Sequence, residues 1–368
     1  MKLLRFYMIF NHYFSFQLPK HVIHLGQENY LSVLCIFLFL QTACTENPLK
    51  PFQLQGSTMG TFYHITVIAD KNTFNAKQAQ LNIEQELKKI NQQMSTYLPS
   101  SEISKFNKTT NKNWFSVSKS FAHVVYQSMK ISQITNGSFD ITTGSLVNLW
   151  GFGASYKNII PSQHEIHRVL QQTGYHLLDV CLNPPALKKQ NTALTIDLSA
   201  IAKGYAVDRI SEKLLKQGFI NHLVEIGGEL KASGINFNKQ PWSIGINIPD
   251  KSYNTSNKVY KKPLLLNNEA VATSGDYQNY FEKKGTRYSH TIDPATGKPV
   301  THKLASVTVV SKSSMHADAF ATALMVMGEV KGKQFVQKEN LKVFMLIRNN
   351  EGKFDTWNTI ESFEKNDN

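Results

Sequence analysis

Ile196-Asp197-Leu198-Ser199-Ala200-Ile201-Ala202-Lys203-Gly204-Tyr205-Ala206-Val207-Asp208 is the stretch around which this chain is organised. Thr192 to Ile196 predicts a short strand, and Asp197 then stands where a helix N-cap belongs. Leu198, Ile201, Ala202, Tyr205, Ile210 and Leu214 recur at helical spacing, which predicts a helix with one buried face. The first turn of such a helix carries backbone N–H groups with no intrahelical partner, and Lys203 lies among them. A strand running into this kind of helix start is a natural seat for phosphate. An N-cap beside a solvated lysine would look the same. A second charged helix start, His316-Ala317-Asp318-Ala319-Phe320-Ala321-Thr322, is what separates the two readings.

Asp318 and Thr322 are four residues apart on an apolar helix and so point the same way. Oxygen donors of this kind suit Mg²⁺, although a threonine inside a helix also bonds back to its own backbone. Outward from these two starts, Gln53 to Ala69 predicts strand, turn and strand, broken at Gly56–Thr61. Ala79, Ile83, Leu87, Ile90 and Met94 mark an amphipathic helix from Asn75, and Ser101 starts a short one after Pro99. Phe121, Val125 and Met129 define another, closed near Asn136-Gly137. His222 to Ala232 predicts a strand interrupted by Gly227-Gly228, and Trp242 to Ile248 another. Residues 250–262 predict a polar surface loop. Leu304 to Ser311 predicts a strand, followed by a helix capped by Ser313 or Ser314 and stopped at Gly328. Residues 341–347 predict a last strand. Helices and strand–turn–strand pairs alternate irregularly. The expected fold is therefore a mixed α/β (α+β) domain, single, with a largely antiparallel sheet and packed helices.

The chain has 368 residues and a formal net charge of +13, of which Lys2, Arg5 and Lys20 against Glu28 belong to the first 43 residues. Its lysines are scattered, without a basic run or interleaved aromatics, so nucleic acid is not an expected partner. Residues 31–40 form an apolar run too short to span a bilayer, followed by Gln41-Thr42-Ala43-Cys44. Small residues before a cysteine predict lipoprotein-type cleavage, although Gln41 stands where an aliphatic residue is usual. The expected organisation is a signal peptide over 1–43, a tether over 44–51 lipidated at Cys44, and one domain over 52–368. Of three cysteines only Cys181 then remains in the domain, which excludes an internal disulfide there and gives no hint of a metal–thiolate site.

No G-x-S-x-G, H-E-x-x-H, P-loop or G-x-G-x-x-G context occurs, which removes the usual hydrolase, zincin, NTPase and Rossmann readings. His290, between a tyrosine-bearing strand and the Asp293-Pro294-Ala295-Thr296-Gly297 turn, is a titratable candidate whose residue type serves equally as a structural hydrogen-bonder.

Eight segments in order carry more information than their spacing does. They are Gly56–Thr61, Met94-Ser95-Thr96-Tyr97, Gly137–Thr142, Asp197–Asp208, Gly227-Gly228-Glu229, Ala272–Tyr277, His290–Pro299 and Ala317–Thr322. Together they resemble the ApbE family of FAD:protein FMN transferases over about residues 52–347. The resemblance implies transfer of FMN from FAD to a Thr or Ser hydroxyl of an acceptor protein, with AMP released and Mg²⁺ required. It implies FAD contacts at Met59, Tyr97, Ser138, Phe139, Asp140, Asp197, Lys203 and Ile292. It implies a Mg²⁺ site at Asp318, Thr322 and the carbonyl of Ala200, with His290 as the base for the acceptor hydroxyl. Glu229 stands where Asp is more usual. The expected acceptors are redox membrane subunits of Nqr or Rnf type, and the expected location is the periplasmic side of the inner membrane. Two other activities fit the same residues: a Mg²⁺-dependent FAD pyrophosphatase and a non-catalytic flavin-binding lipoprotein.

Overall fold

Tyr63, Ile65 and Val67 are buried while the alternating Phe62 and His64 face water, the period-2 pattern of a half-buried strand. In the computed structural model, which describes residues 49–153, 160–248, 259–260, 263–276, 280–283, 286–351 and 353–360, they lie on β2 (Thr61–Asp70). This strand pairs antiparallel with β1 (Leu49–Thr58), from Leu49↔Asp70 to Thr58↔Thr61. Only Met59 and Gly60 form the turn, and both have positive φ (51° and 73°), as a two-residue type I′ hairpin requires. The break is therefore narrower than the six residues expected. β1 also takes in Leu49–Pro51, which the sequence reading assigned to the tether. The expected signal peptide, Cys44 and most of the 250–262 loop lie outside the described residues.

Six more strands complete the main sheet: β3 (His222–Ile226), β4 (Glu229–Ser233), β5 (Ala270–Gly275), β6 (Leu304–Ser311), β7 (Lys342–Arg348) and β8 (Phe354–Asn358). All eight stand in chain order, each antiparallel to the next. The sheet is a meander with long insertions. Its two faces separate by alternation: Ala272, Val307, Val309, Val343 and Met345 pack on one side, Val271, Val310, Phe344 and Leu346 on the other. A small hairpin of residues 242–244 and 264–266 brings Trp242, Leu264 and Leu266 onto the second face. β8 was not expected, because Phe354–Asn358 has only one fully apolar position per face to announce it.

Seven helices are described: α1 (Ala76–Met94), α2 (Glu102–Lys108), α3 (Lys119–Ile134), α4 (Gly144–Leu149), α5 (Gln163–Leu170), α6 (Ala202–Lys216) and α7 (Ser314–Glu339). The caps at Asn75 and Ser101 are as expected, each side chain accepting a backbone N–H three residues on. Three expectations are corrected. Thr192–Ile196 forms no ladder, because the side chain of Asn107 bonds both the N–H and the C=O of Ile196 at 2.8 Å. Asp197 is not the N-cap, since its Oδ1 accepts the Ser199 amide (2.7 Å) in a local turn and α6 starts later, after Ile201. Gly328 kinks α7 rather than ending it, with φ 74°, and His302 Nε2 bonds the Met325 carbonyl at 2.7 Å beside the kink. Among the described residues no helix is long and apolar enough to cross a membrane.

Candidate active site

The starts of α6 and α7 cross with almost nothing between them. A Cβ on Gly204 would lie 2.3 Å from the Ser314 carbonyl oxygen, so only glycine permits the approach. The Gly204 amide, one of the orphan donors of α6, is satisfied by Asp318 Oδ2 at 3.1 Å. Four residues further along α6, Asp208 receives the start of α7: its carboxylate accepts from Ser313 Oγ, Ser314 N and Met315 N, and pairs with Lys231. The two charged helix starts seen in the sequence are thus one structure.

Two cavities open beside this crossing. One, of about 770 Å³, is enclosed by the Ser57–Gly60 turn, the last turns of α1 and residues 95–98. The other, of about 430 Å³, lies between residues 138–144, residues 197–200, the end of β5, His290–Pro294 and the second turn of α7. Asp197, Ser199 and Lys203 line both and form their common wall.

Every residue expected to contact flavin, hold the metal or act as base falls on these walls, while Cys44 lies outside the described residues. Met59 and Tyr97 line the larger cavity, Tyr97 70% exposed. Ser138, Phe139, Asp140, Ala200, His290, Ile292, Asp318 and Thr322 line the smaller. Asp197 and Lys203 belong to both. The loop carrying Phe139 and Asp140 is held in place by its own polar groups. Asp140 accepts from Thr142 N, Thr142 Oγ1 and Tyr175 N at 2.7–2.8 Å, and the Asp197 amide donates to the Ile141 carbonyl. Burial pushes the Asp140 carboxyl up, against those hydrogen bonds. Its carboxylate therefore shapes the loop.

Electrostatically the centre of the site is Lys203 with two buried carboxylates. Lys203 forms an ion pair with Glu229. Burial opposes the ammonium charge, but Asp318 and Glu229 together outweigh it and hold Lys203 above its usual range. Burial raises both Asp318 and Glu229, with Lys203 pulling each back. Glu229 Oε2 is buried without a hydrogen-bond partner, so the cluster is short of positive charge. A divalent cation matches that deficit. The donors available are all oxygens, the Asp318 carboxylate and the Thr322 hydroxyl one turn on, with Ala200 on the same wall. Among the described residues no group of three or more His, Cys, Asp or Glu is arranged around a metal. A set built on one carboxylate, a hydroxyl and a carbonyl falls outside that pattern.

Glu229, Thr273 and Ser274 also line the smaller cavity and were not singled out as site residues. For Glu229 the signal lay in the paired glycines before it: Gly227 and Gly228 turn β3 into β4 with φ of 61° and 100°, and so aim Glu229 back at Lys203.

The ApbE family model matches residues 59–345. An FAD:protein FMN transferase of Vibrio cholerae is 40% identical over 326 residues, covering 88% of this chain and 95% of that protein. The Escherichia coli protein of the same name is 37% identical over 309 residues, covering 83% and 86%. Among solved structures, the flavin transferase ApbE from Vibrio cholerae superposes with a TM-score of 0.78 at 38% identity, covering 86% of this chain and 99% of that one. The apo flavinyl transferase ApbE of Pseudomonas stutzeri gives 0.78 at 35% identity, covering 84% and 95%. The matched span takes in all of the smaller cavity, all of the larger except Ser57 and Thr58, and every residue on their shared wall, and on that footing this chain belongs to the ApbE family.

Proposed function

We propose that the chain is an FAD:protein FMN transferase, moving FMN from FAD onto a Thr or Ser hydroxyl of an acceptor protein and releasing AMP. The observation that carries this reading is the shared wall of Asp197, Ser199 and Lys203 between two cavities. A dinucleotide with one ring system in each chamber would cross that wall at its pyrophosphate, beside an ammonium kept charged by Asp318 and Glu229. Met59, Leu87, Met94 and Tyr97 offer one ring an apolar seat, and Phe139 and Ile292 border the other.

In the transfer, the acceptor oxygen forms a bond to the FMN-side phosphorus and the P–O bond to AMP breaks, AMP leaving with the electron pair. The hydroxyl proton passes to the imidazole of His290, which lines the same cavity as Asp318 and Thr322. Lys203 offsets charge developing on the phosphoryl oxygens. Asp318, Thr322 and the Ala200 carbonyl would hold Mg²⁺, which when bound supplies further charge neutralisation and orients the leaving group. Redox membrane subunits of Nqr or Rnf type are the acceptor class we infer. Lipidation at Cys44 would hold the enzyme on the periplasmic side of the inner membrane.

The test combines the chain, FAD, Mg²⁺ and an acceptor domain with its threonine, read by intact-protein mass. A Mg²⁺-dependent FMN adduct is expected. His290→Ala is expected to keep FAD binding and to lose transfer about 100-fold or more. Free FMN and AMP without an adduct would make the chain a pyrophosphatase, and bound, unchanged FAD would make it a flavin-binding lipoprotein.

A further inference from the structure

The two ends of the main sheet differ in kind. The Met59-Gly60 and Gly227-Gly228 turns and the end of β5 lie at the end that carries both cavities. At the other end β1 begins, with Leu49 opposite Asp70. Four large apolar side chains stand in water there: Leu49 (48% exposed), Ile220 (61%), Ile235 (41%) and Phe237 (54%). The pairing brings Ile220 and Ile235 level with each other, with Leu49 at the start of β1 and Phe237 just past Ile235. The Ile68 amide donates to the Asn221 carbonyl at 2.8 Å, which sets Ile220 next to the last residues of β2. His222↔Ser233 then carries Ile220 alongside Ile235, whose amide is held by Asn221 Oδ1 at 2.9 Å. Phe237 follows in the turn closed by Asn236 and Gln240. At the same end Phe52, Phe74 and Phe219 pack with 4.8 Å between successive ring centroids.

Exposed Lys50, Lys71, Lys216 and Lys239 lie at the same end. The neighbouring acid, Asp70, has its Oδ1 occupied by the Asn72 amide. Scattered singly, such apolar side chains would need no explanation, but four at one end of the sheet with lysines at the same end do. Apolar side chains backed by cations suit the boundary of an anionic bilayer, where the rings and branches reach the acyl region and the ammonium groups meet phosphates.

We propose that this end of the sheet is a membrane-docking face and that its occupant is the surface of an anionic phospholipid bilayer. The proposal rests on the reading of Cys44 as the lipid attachment point. Cys44 precedes Leu49 by five residues, a reach of at most about 18 Å, so a lipid there keeps this end close to the membrane. β1 and β2 are ten residues long, which carries the cavities about 30 Å further out, clear of the headgroups. Docking this end would turn the active site toward soluble segments of an acceptor.

Full-length chain purified from membranes, with benzoylphenylalanine in place of Phe237 or of Lys89, would be placed in vesicles of phosphatidylglycerol and phosphatidylethanolamine and irradiated. Lys89 is exposed on α1 toward the cavity end and serves as the reference. A phospholipid adduct is expected at position 237 and not at 89. It should fall about fivefold with Ile220→Ser and Ile235→Ser together, and should weaken as salt rises. The mass of the Cys44 peptide reads lipidation independently. An adduct at 237 on a chain with unmodified Cys44 would keep the face and remove the anchor reading. No adduct at 237 overturns the face whatever Cys44 carries, and so does a cross-link from 237 to a second copy of the chain.

Discussion

The amide of Gly204 donates to Oδ2 of Asp318 across 3.1 Å, joining the first turn of α6 to the second turn of α7. This contact exists because glycine lets the helices meet, the nearest approach for an added Cβ being 2.3 Å from the Ser314 carbonyl. The backbone of one helix thus holds the buried carboxylate of the other on the cavity wall.

Gly204→Ala should therefore separate the helices rather than repack a flexible side chain, since the obstructing atoms are backbone. We expect a loss of about 3 kcal/mol, at the upper end of overpacking costs. A lower urea midpoint with unchanged slope would show it, and transfer activity should fall further than stability explains. A neutral Gly204→Ala would mean that the helices slide freely.

Much of this was legible beforehand, for identifiable reasons. The α1, α2 and α7 starts were readable because Asn75, Ser101 and Ser313 cap locally, within three residues. The chain-order meander was foreshadowed by its strand–turn–strand pairs. What failed was decided from a distance. Ile196 is paired by Asn107, 89 positions away, so no local pattern could distinguish it from a ladder strand. Gly328 has the positive φ of a helix stop, yet α7 resumes after it to Glu339. The residues expected at the site came from whole-segment resemblance; for Glu229 the paired glycines signal a turn, but its place beside Lys203 and Asp318 is set by residues far away in the chain.

Glu229→Gln tests that triad. Burial and the nearby Asp318 raise the Glu229 carboxyl above its unfolded value, so the unfolded chain ionises it first as pH rises. Its contribution to stability is then full below the usual glutamate range and is lost as pH climbs through the folded value. Glutamine cannot ionise, and Lys203 keeps Asp318 as a counter-charge. The variant should gain stability relative to wild type on moving from pH 5 to pH 8. Lys203→Met, which leaves two buried carboxylates facing each other, should instead lose about 3 kcal/mol at neutral pH.

His222 gives the acid limb of the stability curve. It is fully buried at the start of β3, with Nδ1 on the Phe219 carbonyl and Nε2 on Ser211 Oγ, both 2.8 Å. A carbonyl only accepts, so Nδ1 carries the proton and Nε2 accepts from the serine hydroxyl. Burial pushes its pKa down to about 4 from 6.5. Between those values the unfolded chain binds the proton and the folded one does not, so stability falls as pH drops, by about 3 kcal/mol in all. His222→Gln should be weaker at pH 7 but decline less between pH 6.5 and pH 4, as urea midpoints would report.

Asp208 fastens the helix crossing from the other side, and its arithmetic of donors makes the sharpest stability prediction. Oδ1 accepts from Lys231 Nζ (2.8 Å) and Ser314 N (3.1 Å), and Oδ2 from Ser313 Oγ (2.7 Å) and Met315 N (3.0 Å). Four donors thus converge on one buried carboxylate, two of them orphan amides of α7. Asparagine keeps the shape but turns one oxygen into an NH₂ group that points donors at donors. Asp208→Asn should cost about 3 kcal/mol, from an uncompensated lysine and an unmet helix start. Lys231→Met should cost much less, because three hydrogen bonds to the carboxylate survive. If the two variants unfold at the same urea concentration, the ion pair rather than the cap holds α7 in place. If only Asp208→Asn falls, the helix start is what presents Asp318 to the site.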